Sequence, residues 1–354
     1  MNWIQIPFHN DKYVITIAGD TYFGEKYTEI RKKKGVQDAL QLYGYGYSFE
    51  KVSSMFTKNE FNLLNFEAAL TENETIWLSS EYTIALKGKA DNTADELKSR
   101  NIHAVMLANN HIMDYGESGC SDTLQAFQSR GFFTLGAGYN VKEAEKPLFL
   151  QCDKKVLIFN AYWYNEGRHK VSRLYAIGEN TGIACLSDMY FDSIRQYRRR
   201  FPDAFMILCA HWGRGFVTEV TGIRILAKRA VAAGIDCIVA HGPHIILPYE
   251  WIDGKLVLYS IGNFIFNGNV PEFSRLGIPP YAYVAKVIFY KDTREVRLYP
   301  IMVDGPKCFW QPYPVGKEQL DELMGYYKVD PGVVAQDHLG YYLSLGINGP
   351  GAFS

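Results

Sequence analysis

The stretch Gly234–Pro248, GIDCIVAHGPHIILP, decides the fold class. Ile235 to Ala240 is a short apolar run between a glycine and a histidine, and it predicts a strand buried on both faces. At its carboxyl end come His241, the pair Gly242-Pro243, and His244. The Gly-Pro pair forces a turn, so two imidazoles three residues apart converge instead of trailing along a helix. Neutral imidazole is the commonest metal ligand. By itself the turn reads either as a metal corner or as two ordinary loop histidines.

Four other apolar runs end in the same way. Tyr13 to Ala18 runs into Gly19-Asp20, and Phe61 to Leu64 into Asn65-Phe66-Glu67. Ile102 to Ala108 runs into Asn109-Asn110-His111, and Ala204 to Ala210 into His211-Trp212-Gly213. In open α/β sheets, ligands bind outside the carboxyl ends of the strands. Five strand ends supplying Asp, Glu, Asn-His, His and His-x-x-His form a mixed oxygen and nitrogen set that suits a pair of divalent ions.

Composition narrows the function class. The 354 residues are 47% hydrophobic and 21% charged with a net charge of −1, which is globular and argues against a general nucleic-acid or anionic-membrane binder. The basic clusters Arg31 to Lys34 and Arg195 to Arg200 read as solvated helix faces. The six cysteines show no C-x-x-C spacing and read as reduced thiols. No apolar run approaches membrane-spanning length, and the amino terminus has neither a basic n-region nor an h-region. The expectation is a cytoplasmic chain without signal peptide or transmembrane segment; a chain from which a targeting segment had been removed would read the same.

Taken in order, Glu25 to Lys34 reads as a loop leading into a short helix, Leu40 to Tyr47 as a surface loop, and Phe49 to Phe56 as helix-like. Thr83 to Leu86 is a short strand candidate. Helices are expected over Ala90 to Arg100, Glu117 to Arg130, Leu186 to Arg200 and Val220 to Ala233, with a strand over Val156 to Ala161. This alternation predicts α/β. Ile245 to Ile252, Leu256 to Ile261, Tyr281 to Tyr290 and Glu295 to Pro300 then follow as strands in succession. They predict a second, antiparallel sheet packed on the first, with a hairpin turn at Asp253-Gly254. Residues 12–304 read as one domain, with 305–354 as an extension packed on it and a helix over Lys317 to Tyr327.

GDTYFGE (19–25), NFE (65–67), LANNHIMDYGESG (107–119), HWG (211–213), AHGPH (240–244) and YSIGNFIF (259–266) fall in the order and spacing of a known family. The chain resembles the CapA-type capsule-biosynthesis proteins, named for poly-γ-glutamate capsule formation and similar to calcineurin-like metallophosphoesterases. The resemblance covers about residues 14 to 304. It implies a four-layer α/β/β/α sandwich of two mixed sheets, with two divalent ions (Mn, Fe or Zn) between strand ends and loops. Carried over by position, the metal ligands are Asp20, Glu67 (bridging), Asn110, His211, His241 and His244. His111 is the general acid. The chain departs from the phosphoesterase pattern at Tyr22, where a histidine is usual, so one metal position lacks a nitrogen ligand. It departs again at Gly215, where an acid is frequent.

The residue types suit these roles. A carboxylate offers one oxygen to each of two ions about 3.5–4 Å apart. Adjacent Asn110 and His111 point apart, so one can face metal and the other substrate. An imidazole titrates near neutrality and suits general-acid work. Asp114 orients that imidazole or caps the helix before Gly116. Lys87 and Arg168 are candidate contacts for an anionic substrate group, Lys87 as a point charge without Arg's bidentate fork. His103 reads as a satisfied core histidine. The function implied is a metal-dependent phosphoester hydrolase linked to capsule or cell-surface polymer biosynthesis, in which a hydroxide held by two ions attacks a phosphoester. The alternatives are an amide or ester hydrolase acting on an anionic polymer such as polyglutamate, and a non-enzymatic polymer-binding component of capsule assembly. Its expected partners are that substrate and other capsule-biosynthesis proteins, with no nucleic acid.

Overall fold

The computed structural model describes residues 3–77, 84–268 and 270–347. Among these, most strands gather into two large mixed sheets, and two short pairs stand apart from them. The ten-stranded sheet centres on Tyr13–Tyr22. Phe61–Phe66, Ile102–Met106 and Phe133–Leu135 follow it in parallel on one side, and the antiparallel pair Tyr281–Phe289 and Arg294–Met302 lies on the other. The seven-stranded sheet has Lys155–Tyr162, Phe205–His211, Cys237–Val239 and Lys255–Ile261 in parallel, closed by the antiparallel Ile246–Ile252.

Strand alternation explains how the layers stack. Ile15, Ile17, Leu63, Ala104 and Met106 point inward from one sheet. They meet Val156, Ile158, Ile207, Cys209, Val239 and Leu258 from the other. The opposite faces, carrying Leu64, Val105, Leu157, Phe159 and Leu208, pack under helices. Ala90–Ser99 and Gly116–Gln128 cover the first sheet, and Asp188–Arg200 and Thr221–Ala233 the second. The result is a four-layer α/β/β/α sandwich in which the central strands of each sheet are buried on both faces.

The strands after Gly234 do not make a sheet of their own. Ile246–Ile252 and Lys255–Ile261 extend the seven-stranded sheet, whereas Tyr281–Phe289 and Arg294–Met302 extend the ten-stranded one. Their hairpin turn at Asp253-Gly254 has positive φ at both residues, as a type I′ turn requires. The chain passes between the sheets at Gly262, whose φ is +77°. Immediately beyond it, Asn263–Phe266 pairs in parallel with Tyr13–Tyr22. The two sheets are thereby linked beside Asp20. Gly19 lies against this crossing, and a Cβ there would sit 1.9 Å from the Gly262 carbonyl oxygen.

Several local expectations are corrected. Thr83 lies outside the described residues, and Ile84 to Leu86 are irregular; the strand is Lys87–Gly88, paired with Ala69–Leu70. Glu25 opens its helix directly, Leu40 to Tyr47 is helical in two short pieces, and Phe49 to Phe56 holds only 3₁₀ turns. Arg31 is not on a solvated face. It is buried against Asp38 at 2.7 Å and Asn267 O at 2.6 Å, with its guanidinium 4.1 Å from the centre of the Trp310 ring. Beyond Asp304, the chain adds the helix Lys317–Tyr327 and the strands Val334–Asp337 and Gly340–Gly346, the latter paired with Arg294–Met302.

Gly19→Ala should cost about 1–3 kcal/mol, the usual range for a group forced into a filled interior. Urea denaturation measures it. A variant as stable as the parent would show that the crossing is not tightly constrained.

Candidate metal centre

Each strand of the parallel halves ends at the same rim, and the chemistry collects there. The ten-stranded sheet delivers Asp20 in its central strand, Glu67 one residue past Phe66, and Asn110-His111 in the turn after Ile102–Met106. The seven-stranded sheet delivers His211 at a strand terminus and His241 two residues past Val239. His244 follows in the left-handed conformation, φ +63°. That conformation is uncommon for a residue with a Cβ and turns the imidazole back toward Asp20.

Asp20 is the hub. Its Oδ1 accepts from Asn65 Nδ2 at 2.8 Å and lies 2.9 Å from His241 Nδ1 and 3.7 Å from His211 Nδ1. Its Oδ2 accepts from the Gly242 N–H at 3.1 Å and lies 3.3 Å from His244 Nδ1. Two donor sets result, Asp20 with His211 and His241, and Asp20 with Glu67 and His244, the ligand atoms of each within 4.8 Å of one another. Asp20 belongs to both sets, whereas the resemblance assigns the bridging place to Glu67.

The buried charges of the cluster perturb one another strongly. Burial would raise Asp20, yet the hydrogen bonds of His241 and His244 and the nearby His211 hold its carboxyl well below the usual range. Burial, reinforced by the Asp20 charge, pushes Glu67 well above that range. Burial pushes His211 well below the usual imidazole value. Burial also opposes protonation of His244, but Glu67 and Asp20 outweigh it and push that imidazole up to about 9.

Glu67 is fully buried, and among the described residues neither carboxylate oxygen has a hydrogen-bond partner; His241 Nε2 is likewise buried without one. His211 Nδ1 and His241 Nδ1 stand 3.0 Å apart. Orphaned acceptors are costly in a protein interior, and ring nitrogens facing one another repel unless a proton or cation lies between them. A donor set of carboxylates and imidazoles without thiolate suits Mn, Fe or Zn. The residues therefore fit divalent metal.

His111 stands beside this cluster. Its Nε2 is 4.0 Å from Glu67 Oε1, and its Nδ1 is 2.6 Å from Asp114 Oδ2. Asn110 is half-buried in the same turn, and its carbonyl accepts from Arg168. Arg168 also donates to Asp114 Oδ1 at 3.2 Å. Lys87 is directed elsewhere: it pairs with Glu74 at 2.6 Å and lies 5.4 Å from the centre of the Tyr115 ring. Tyr22, in place of the usual histidine, donates to Lys87 O and accepts from the Lys26 N–H, so its ring serves packing.

Three residues escaped the sequence reading. Asn263 Oδ1 lies 2.8 Å from His244 Nδ1, Asn65 holds Asp20, and Asn109 donates to Asn65 Oδ1 and Phe66 O. All three lie inside the quoted motifs. The amides of Asn65 and Asn263 orient ionisable neighbours and that of Asn109 orients Asn65, roles with no signature in spacing.

A four-layer sandwich with buried carboxylates and imidazoles gathered at the joint rim of its sheets defines an α/β protein with clustered potential metal ligands. The chain belongs to the family of bacterial capsule synthesis proteins PGA_cap, whose model matches residues 14–268. It is 27% identical over 263 residues to the PGA biosynthesis protein CapA of Bacillus subtilis, a match covering 73% of this chain and 65% of that protein. It is also 27% identical over 263 residues to the capsule biosynthesis protein CapA of Bacillus anthracis, covering 73% of this chain and 61% of that protein. The chain thus spans less than two thirds of these relatives. The crystal structure of the calcineurin-like phosphoesterase YfkN from Bacillus subtilis superposes with a TM-score of 0.41 at 11% identity, covering 90% of this chain and 96% of that one.

Because Asp20 belongs to both donor sets, Asp20→Asn should abolish binding of Mn²⁺ at both positions, while His211→Ala and His244→Ala should each abolish one. Isothermal titration reads the stoichiometry, and an Asp20→Asn protein that keeps a full-affinity site contradicts the shared role. His244 must lose its proton to act as a ligand. Glu67, also raised, must release its proton as well, so affinity at this position should rise by about tenfold or more per pH unit below pH 9.

Proposed function

We propose that this protein is a metal-dependent hydrolase of the phosphoester type that serves capsule or cell-surface polymer biosynthesis. The observation that carries the reading is Glu67, a fully buried carboxylate whose two oxygens have no hydrogen-bond partner among the described residues, set among Asp20 and the imidazoles of His111, His211 and His244. Two divalent ions would be held by Asp20, Glu67, Asn110, His211, His241 and His244. Such ions supply Lewis acidity and lower the pKa of water.

The chain's own groups supply the remainder. Asp114 accepts the Nδ1–H of His111 and so selects the tautomer. Nε2 is then the atom that carries or gives up a proton on the side facing Glu67. A proton donated there reaches a departing alkoxide. Lys87 can serve an anionic substrate group by exchanging its partner, because Glu74 is 86% exposed and such surface pairs are worth little. Burial of Asp20, Glu67 and His241 excludes bulk water from the inner wall.

A second reading keeps the metals and acts on an amide or ester of an anionic polymer. It is favoured by the relatives' names, which refer to PGA and capsule biosynthesis. In either reading, other proteins of polymer synthesis are the expected partners.

Assay of the purified protein with Mn²⁺ on a chromogenic phosphodiester, a phosphomonoester and polyglutamate separates these readings. Phosphoester turnover abolished by chelator is expected. Cleavage of polyglutamate alone would install the second reading, and no turnover at all would favour a polymer-binding role. His111→Ala should retain metal and fold but lose about 10²–10⁴-fold on poor leaving groups, with a smaller defect for nitrophenolate. Loss of metal from His111→Ala would make His111 a ligand instead.

A further inference from the structure

Arg168 sits on the short helix Glu166–Ser172, whose amino end is capped by Asn165 Oδ1 accepting from the Arg168 N–H. Its side chain is 10% exposed, and the guanidinium engages two groups of the turn that carries His111 at once. Nε and Nη2 donate to the Asn110 carbonyl at 3.2 and 2.7 Å, and Nη2 donates to Asp114 Oδ1 at 3.2 Å. Asn110 O belongs to the peptide that leads into His111. Asp114 is the carboxylate that receives the His111 ring, and its Oδ2 also accepts from the Leu86 N–H at 2.9 Å.

We infer that Arg168 is a positioning residue for His111, acting through Asp114 and the Asn110 peptide. Asp114 is fully buried, with both oxygens engaged. A buried carboxylate needs compensation, and the guanidinium provides both charge and geometry. With Oδ1 held, Oδ2 stays aimed at His111 Nδ1, and Nε2 stays aimed toward Glu67. One side chain thus fixes the ring through its carboxylate and through the backbone preceding it. Lysine would retain the charge but not the fork that spans both acceptors. Methionine would retain the volume and leave Asp114 uncompensated. The kinetic consequence rests on the hydrolase reading above; the geometric one does not.

The test compares Arg168→Met and Arg168→Lys in the full chain. Side-chain ¹H–¹⁵N spectra of the Zn²⁺-loaded protein should show a His111 Nδ1–H resonance, assigned by its loss in His111→Ala. Arg168→Met should shift or broaden it while the signals of His211, His241 and His244 stay in place, and Arg168→Lys should partly restore it. With Mn²⁺ and a phosphodiester of poor leaving group, Arg168→Met should lower kcat about 10–100-fold, the usual loss for a group one step behind a site residue, with KM nearly constant. The defect should shrink with nitrophenolate. It should also vanish in the His111→Ala background, where the coupled residue is already gone. A raised KM with unchanged kcat, losses additive with His111→Ala, or an unmoved His111 signal would each overturn the inference. Should the parent protein hydrolyse nothing, the hydrolase reading fails, and the spectra still decide the placement of Arg168. Equal melting temperatures for parent and Arg168→Lys keep the comparison valid if Arg168→Met folds poorly.

Discussion

Everything at the rim depends on one buried carboxylate. Asp20 has no access to water, yet three imidazoles, an Asn65 amide and the Gly242 N–H hold it ionised. A lone carboxylate so placed would be strongly destabilising. It is tolerated because donors from both sheets converge on it. Glu67 supplies the complementary half of this constraint: a second acid close by cannot be ionised cheaply unless positive charge enters. The rim is thus poised to bind cations.

The two-sheet architecture exists at this point because the chain crosses there. Gly262 carries the polypeptide out of the seven-stranded sheet, and Asn263 pairs directly across from Asp20 in the other. The same short segment joins the layers, bounds the carboxylate and presents Asn263 to His244. Membership of the PGA_cap family, matched over residues 14–268, spans all of these elements. The strands beyond it enlarge the ten-stranded sheet, with Tyr281–Phe289 pairing directly with the strand that carries Asp20, and helix Lys317–Tyr327 packs into the inter-sheet core through Leu320 and Leu323.

Around this core the chain arranges supporting layers of polar contact. Asn109 steadies Asn65, which steadies Asp20. Arg168 steadies Asp114, which meets His111. Each link buries a charged or amide group with its hydrogen bonds satisfied, the condition under which buried polar networks rigidify a site. Even Tyr22, where a ligand histidine is usual, is absorbed into this scaffold by its bonds to Lys87 O and the Lys26 N–H.

Much was legible in the residues alone. Five apolar runs ending in Asp, Glu, Asn-His, His and His-x-x-His marked strands buried on both faces and a shared rim, because strand periodicity and turn residues are local properties. Helix Lys317–Tyr327 and the Asp253-Gly254 turn were likewise local. Which sheet each late strand would join was not legible, since strand partners are chosen by long-range packing and the crossing at Gly262 depends on a backbone approach to Gly19. Burial of Arg31 required Trp310 from nearly 280 residues away. The division of the donors was also a tertiary matter: Asp20 sits in both sets and Arg168 turns toward Asp114 because distances of a few ångströms between separate loops, absent from any spacing in sequence, determine who meets whom.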